Sequence, residues 1–242
     1  MHNTWNQDMM ISQIESNDTG FTKFWSDPVQ VHCGTLFLNP KLVDDIFFNK
    51  LTGVTCIDDN MIEKALEDFR KNHSIPYVYS LNYPAFENML EKKGFVHHDI
   101  QYALKKNSLP QKKPNAIKIT LDNIDMWTGI FCKAYDCQEW SQTVSSILEK
   151  SLSAVDYFVD ESHSACVALY EASSILGLYC LGTIPDKRNR GLAASLIDFA
   201  LHEVNSRHLE FLMLETYKRD NLLEFYSKLG FQEVYHKMVY TI

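Results

Sequence analysis

With 242 residues, 45% of them apolar and 22% charged, the chain is long enough to bury a sizeable core and divides by length into one large domain or two small ones. Its formal charge of −8 argues against general binding to nucleic acid or to an anionic membrane, since both reward a broad basic surface. No apolar run is long enough for a membrane span, and the start MHNTWNQDMM lacks a signal peptide's basic and apolar regions, so a cytoplasmic protein is expected. The six cysteines, Cys33, Cys56, Cys132, Cys137, Cys166 and Cys180, are scattered singly, which favours reduced thiols over a disulfide framework. Cys132 and Cys137 have no second pair, and no metal site is expected.

Residues 1–26 are polar with isolated aromatics, and 16–20 (SNDTG) read as loop. A strand is predicted over 29–38, a turn at Asn39-Pro40, and a short helix from Leu42, Val43, Ile46 and Phe47. A clearer helix follows, with Asn60 and Glu63 spaced as a capping box and Met61, Ile62, Ala65, Leu66 and Phe69 on one face. The aromatic, β-branched run 75–81 is strand-like. After it, superposing Gly94-Phe95 on Gly230-Phe231 aligns a strand, a helix and an alternating strand in both halves, with Leu90 opposite Tyr226, which fits an internal duplication or the convergence of two short helix-to-strand junctions. His97-His98-Asp99 looks like a ligand set, but neighbours on a strand face opposite ways.

The polar stretch 107–115, with two prolines, fits a linker and divides the chain into 1–112 and 113–242. Beyond it come a first strand at Ile117 and Ile119, helices marked by Ile124, Trp127, Ile130, Phe131 and Ala134 and by Trp140, Val144, Ile147, Leu148 and Leu152, and strands over 155–159 and 166–170. An apolar strand over 175–183 then stops at Pro185. Lys187, Arg188 and Arg190 follow, Gly191 comes next, and a helix of 192–206 begins with apolar positions 193, 196, 197, 200, 201 and 204 on one side. A helix N-terminus carries unpaired N–H groups and partial positive charge, so such a basic glycine loop suits a phosphate or pyrophosphate. The alternative is an ordinary strand-to-helix connection with solvated arginines. A strand over 209–216, a helix over 221–229 and a strand over 231–240 complete the chain.

Arg188, Gly191 and Ala193 spell R-x-x-G-x-A, which resembles the acetyl-CoA signature [QR]-x-x-G-x-[GA] of the GNAT acetyltransferase superfamily. Residues 220–231, DNLLEFYSKLGF, resemble the family's last helix, and the order βααβββαβαβ over 113–242 is similar to its whole core. The resemblance implies an α/β (α+β) fold with a mixed, mostly antiparallel sheet flanked by helices, preceded by a degenerate GNAT-like copy in 1–112 that has no cofactor loop. It implies transfer of acetyl from acetyl-CoA, as co-substrate and without a metal, to the amine of a small molecule or peptide. It assigns the pyrophosphate to Arg188, Asn189, Arg190, Gly191, Leu192, Ala193 and Ala194, and the pantetheine arm to backbone groups at Leu181 and Thr183, where the strand is expected to splay from its parallel neighbour. Tyr226 aligns with the acid that protonates the leaving thiolate, although its spacing also fits a packed helix face. Asn221 either contacts the coenzyme or caps the last helix, alone or with Asp220. The strand 175–183 lacks the carboxylate of many relatives; Glu215 is the first candidate base, with His163 and Glu171 behind it. Arg219 and Leu222 depart from the family's usual polar and small residues, which leaves open a silent acyl-CoA-binding regulatory module.

Overall fold

The computed structural model describes residues 2–108, 110 and 113–242, so part of the linker expected over 107–115 lies outside the described residues. In chain order the elements are α1 (His2–Trp25), β1 (Asp27–Val31), β2 (Gly34–Leu38), β3 (Lys50–Thr52), α2 (Asp59–Lys71), β4 (Val78–Ser80), α3 (Pro84–Lys92), β5 (Val96–Lys106) and β6 (Ile117–Lys118). Then follow α4 (Ile124–Tyr135), α5 (Ser141–Ser151), β7 (Val155–Val159), β8 (Ala165–Ala172), β9 (Ile175–Thr183), α6 (Leu192–Ser206), β10 (Leu212–Tyr217), α7 (Leu223–Lys228) and β11 (Gln232–Thr241). They form two compact units, one of Met1–Phe21, Leu104–Glu215 and Phe225–Gln232, the other of Thr22–Ala103, Thr216–Glu224 and Glu233–Ile242. Each unit thus draws on several stretches, whereas the sequence reading used a single cut at 112/113.

In the first unit the strand order is β10-β9-β8-β7-β6. Only β10 and β9 are parallel; the remaining neighbours are antiparallel. Helices α4 and α6 pack on β8 and β9. Trp127 of α4 packs on Tyr157 of β7 (ring centroids 5.0 Å apart) and Phe199 of α6 on the adjacent Phe158 (4.7 Å), so the two helices bury opposite faces of the sheet. The order of elements from β6 to β10 follows the sequence expectation, because each apolar stripe there has the period of the element it forms.

The second unit runs β1-β2-β3-β4-β11-β5. Strand β11, from the end of the sequence, pairs antiparallel with β4 through Val239↔Tyr79 and completes a sheet made mainly by the first hundred residues. Beneath it, Leu36, Leu51, Met61, Ile62, Phe69, Val78, Phe86 and Leu90 form a continuous apolar cluster.

Four expectations are corrected here. Residues 16–20 are not loop: they lie within a helix over 2–25 whose Asn17 and Asp18 are fully buried. Asn17 Nδ2 donates to the Tyr170 carbonyl (3.2 Å), and the Tyr179 hydroxyl donates to Asn17 Oδ1 (2.7 Å), so polar side chains dock this helix and conceal its inward face from a hydrophobicity pattern. Residues 39–49 make hydrogen-bonded turns instead of a helix, because Asn39 Oδ1 takes the Lys41 N–H and Asp45 Oδ1 takes those of Phe47 and Phe48, competing with helical bonds. The cap of α2 is Asp58, which accepts from the N–H of Asn60 and Met61, so the box of Asn60 and Glu63 does not begin this helix. Finally, Cys33 and Cys56 form a disulfide: the β1–β2 turn lies against the 53–58 loop, where the Thr55 N–H donates to the Cys33 carbonyl (2.9 Å), and brings the two Cα atoms to 5.7 Å. Cys132, Cys137, Cys166 and Cys180 are not disulfide-bonded.

Candidate functional site

Strand β9 is irregular where the sequence places the pantetheine contacts. Its antiparallel register with β8 runs Leu169↔Leu178, Ala168↔Tyr179, then shifts to Cys166↔Gly182, so Cys180 and Leu181 together oppose Val167. This is a β-bulge, and Cys180 takes φ +52°, a left-handed conformation that costs a non-glycine residue about 1–3 kcal/mol. Val167 is compensated from above: the buried Trp127 indole donates to its carbonyl at 3.1 Å, and Trp127 is itself held between Phe131 and Tyr157, with ring centroids 5.0 Å away in both cases. On the other edge β9 pairs with β10 at Leu176↔Leu212 and Gly177↔Met213, and the ladder stops there, although β9 continues to Thr183.

The carbonyls at the end of β9 are engaged by side chains. Leu181 accepts from the Tyr135 hydroxyl (3.1 Å), and Thr183 accepts from Arg188 Nε (3.2 Å). Arg188 also donates to the Ala134 carbonyl at 2.9 Å, in the last turn of α4. Its guanidinium therefore fastens the loop to the strand and the helix. Arg190 is exposed and reaches the Asp186 carbonyl at 3.3 Å, while Lys187 pairs with Asp186 at 3.4 Å. Tyr135 had no signal in the sequence; its role comes from the helix end on which it stands.

The loop then turns through two left-handed residues, Asn189 (φ +60°) and Gly191 (φ +80°). A Cβ on Gly191 would meet nothing within 4 Å, so the backbone angle is what calls for glycine here. Gly191 is the N-cap of α6 and has no side chain with which to cap it. The first intrahelical bond runs from the Ser195 N–H to the Gly191 carbonyl (2.9 Å), which leaves the N–H groups of Leu192, Ala193 and Ala194 at the open end of a fifteen-residue helix.

Glu215 is half-buried on β10, and with Asp18 its charge helps raise the pKa of Tyr179; burial is the largest cause. Tyr179 is stacked on Phe21 with centroids 3.9 Å apart. The structure thus groups Glu215 with Tyr179 and Asp18. Of the two lesser base candidates, His163 is exposed in the β7–β8 turn and Glu171 lies 3.5 Å from Arg207.

Tyr226 is buried in α7, with edge contacts to Phe225 and Phe231 at 5.1 and 5.6 Å. Helix α7 starts at Leu223, later than expected. Asn221, at φ +55°, closes the preceding turn, its amide donating to the Arg219 carbonyl (3.2 Å), and Asp220 accepts the Tyr217 N–H. Arg219 Nε stands 3.4 Å from Asp99 Oδ2.

Residues 130–231 match the model of the acetyltransferase (GNAT) family. No curated protein matches the sequence. Among solved structures the chain is similar to a GCN5-related N-acetyltransferase from Kribbella flavida, at 15% identity and a TM-score of 0.65, covering 93% of each chain. It is similar also to one from Sphaerobacter thermophilus, at 11% identity and a TM-score of 0.64, over 95% of this chain and 89% of that one. A tandem GNAT protein from the clavulanic acid biosynthesis pathway aligns at 10% identity and a TM-score of 0.59, over 86% of this chain and 78% of that one. No described helix is long and apolar enough to cross a membrane. The C-terminal part of the chain has the GNAT-superfamily fold, and most of the chain shares the fold of GNAT structures at low identity.

Proposed function

We propose that the protein is a cytoplasmic acyl-CoA-dependent N-acyltransferase that moves acetyl from acetyl-CoA to the amine of a small molecule or peptide, with 113–242 as the catalytic portion and 1–112 as a degenerate copy. The observation that carries this reading is the uncapped N-terminus of α6, presented through Gly191 directly after the bulged strand β9, inside the segment that matches the family model. The N–H groups of 192–194, with Asn189, Arg190 and the loop of Arg188, suit the coenzyme's pyrophosphate. The backbone around Leu181 and Thr183 suits the amides of the pantetheine arm, with the Tyr135 hydroxyl yielding the Leu181 carbonyl, and Asn221 lies on the turn leading to α7.

In the proposed reaction the neutral amine attacks the thioester carbonyl. The C–N bond forms, the C–S bond breaks, the amine's proton passes to the Glu215 carboxylate, and the Tyr226 hydroxyl protonates the thiolate before regaining a proton from water. The first test is a thermal melt with and without acetyl-CoA, beside Arg190→Glu. Ligand at ~100 times its Kd adds about 2.7 kcal/mol, and roughly 2–4 °C of midpoint goes with each kcal/mol at this size. A clear shift that is lost in the variant supports the cradle; no shift in the folded wild type counts against both transferase and binding module.

A further inference from the structure

A second cluster of reactive side chains lies in the other unit. The β1–β2 turn carries His32 and Cys33, and the loop before α2 carries Cys56 and Asp58. One donor atom from each of His32, Cys33 and Cys56 lies within 4.8 Å of the others, with the imidazole exposed and both cysteines half-buried. His32 Nδ1 is 2.8 Å from Asp58 Oδ2, while the other oxygen of Asp58 is anchored by the N–H of Asn60 (2.9 Å) and Met61 (3.2 Å). A carboxylate on one ring nitrogen fixes the orientation of an imidazole, as it does in metal-binding histidines.

We propose that the reduced protein binds one Zn²⁺ through Cys33, Cys56 and His32, with Asp58 positioning the imidazole and solvent supplying the fourth ligand, and that the Cys33–Cys56 disulfide is the closed, metal-free form of this site. Soft thiolates with imidazole select zinc over magnesium or calcium. A tetrahedral zinc ion holds sulfur at ~2.3 Å and nitrogen at ~2.0–2.1 Å, so donors already gathered on two facing turns need side-chain rotation more than backbone movement. The conversion balances. A dithiol reductant breaks the S–S bond and is itself oxidised to a disulfide, its two electrons and two protons giving two thiols; Zn²⁺ then displaces the two protons. None of these residues is used in the proposed transfer reaction, and the metal site stands or falls independently of it.

The test titrates Co²⁺, as a spectroscopic probe, into the full chain after reduction with a phosphine in metal-free buffer, and into the disulfide form as the control. The expected result is one Co²⁺ per reduced chain, with a thiolate-to-cobalt charge-transfer band and intense tetrahedral d–d bands, displaced by Zn²⁺ and absent from the oxidised chain. Cys33→Ser removes at least half of the charge-transfer intensity. His32→Ala, at an exposed position that leaves the fold intact, weakens binding at least tenfold. Asp58→Asn keeps a competent N-cap and weakens it by about 10–100-fold. A reduced wild type without the charge-transfer band, or unchanged affinity in His32→Ala, overturns the proposal.

Discussion

Leu90 and Tyr226 occupy matching positions in two copies of one local motif. The Phe95 N–H donates to the Leu90 carbonyl at 3.1 Å and the Phe231 N–H to the Tyr226 carbonyl at 3.0 Å; the intervening glycines, Gly94 and Gly230, have φ +90° and +87°. Both side chains are buried, so packing alone accounts for an apolar residue at either place. A hydroxyl at only one of them is what the proposed acid role would require. Tyr226→Phe keeps the ring and its contacts, so kcat is expected to fall by roughly 10²–10⁴-fold, with acetyl-CoA affinity by calorimetry unchanged. Wild-type binding without turnover on any amine would favour the silent module instead. Residue types were legible in the loop, but their partners were not. The sequence displays Arg188 as a cation for an anion, while the fold turns its guanidinium onto the carbonyls of Thr183 and Ala134, a choice made by residues five and fifty-four positions away.

Elements were legible where one apolar face meets a core, as in α4, α5 and α6, and illegible where polar groups do the docking. In α1, Ile14, Phe21 and Trp25 share the buried side with Asn17, Asp18 and Thr22, so its period disappears from a hydrophobic pattern. Gly20 and Gly177 let it approach: a Cβ at Gly20 would fall 2.8 Å from the Tyr170 ring, and one at Gly177 would collide with Asn17 Oδ1. The β7–β8 turn illustrates another polar device. Burial pushes the Asp160 carboxyl up, but hydrogen bonds from the Ser162 hydroxyl and the N–H groups of Ser164, Ala165 and Ser162 outweigh it and hold its pKa below the usual range. Because the native pKa is depressed, this stabilisation is complete above the unfolded value of about 4 and is lost as pH falls through the native value. Asp160→Asn is therefore expected to cost about 1–3 kcal/mol in urea unfolding at neutral pH, with the gap to wild type narrowing at about pH 3. An equal gap at both pH values would assign the effect to packing instead.

Across the molecule, each of the two compact units draws on several stretches of chain. The paired glycine–phenylalanine turns are local signatures, but strand partnership is decided by edges that composition does not mark. Within the second unit β11 lies between β4 and β5. A fragment ending at 112 consequently lacks an interior strand of its own sheet. It is expected to show no cooperative thermal transition by circular dichroism and to gain one when a peptide of residues 229–242 is added. A fragment that melts cooperatively alone would mean that β4 and β5 can pair without β11.

That placement of β11 also sets a schedule for the ribosome. Strand β4 emerges early, and its partner follows only after 151 intervening residues have been made. At about 5–20 residues per second the edge of β4 stays open for roughly 8–30 seconds. During that interval it is an unpaired template beside other nascent chains. Slow decoding upstream of β11 prolongs the exposure, whereas chaperone occupancy of the first hundred residues shields it.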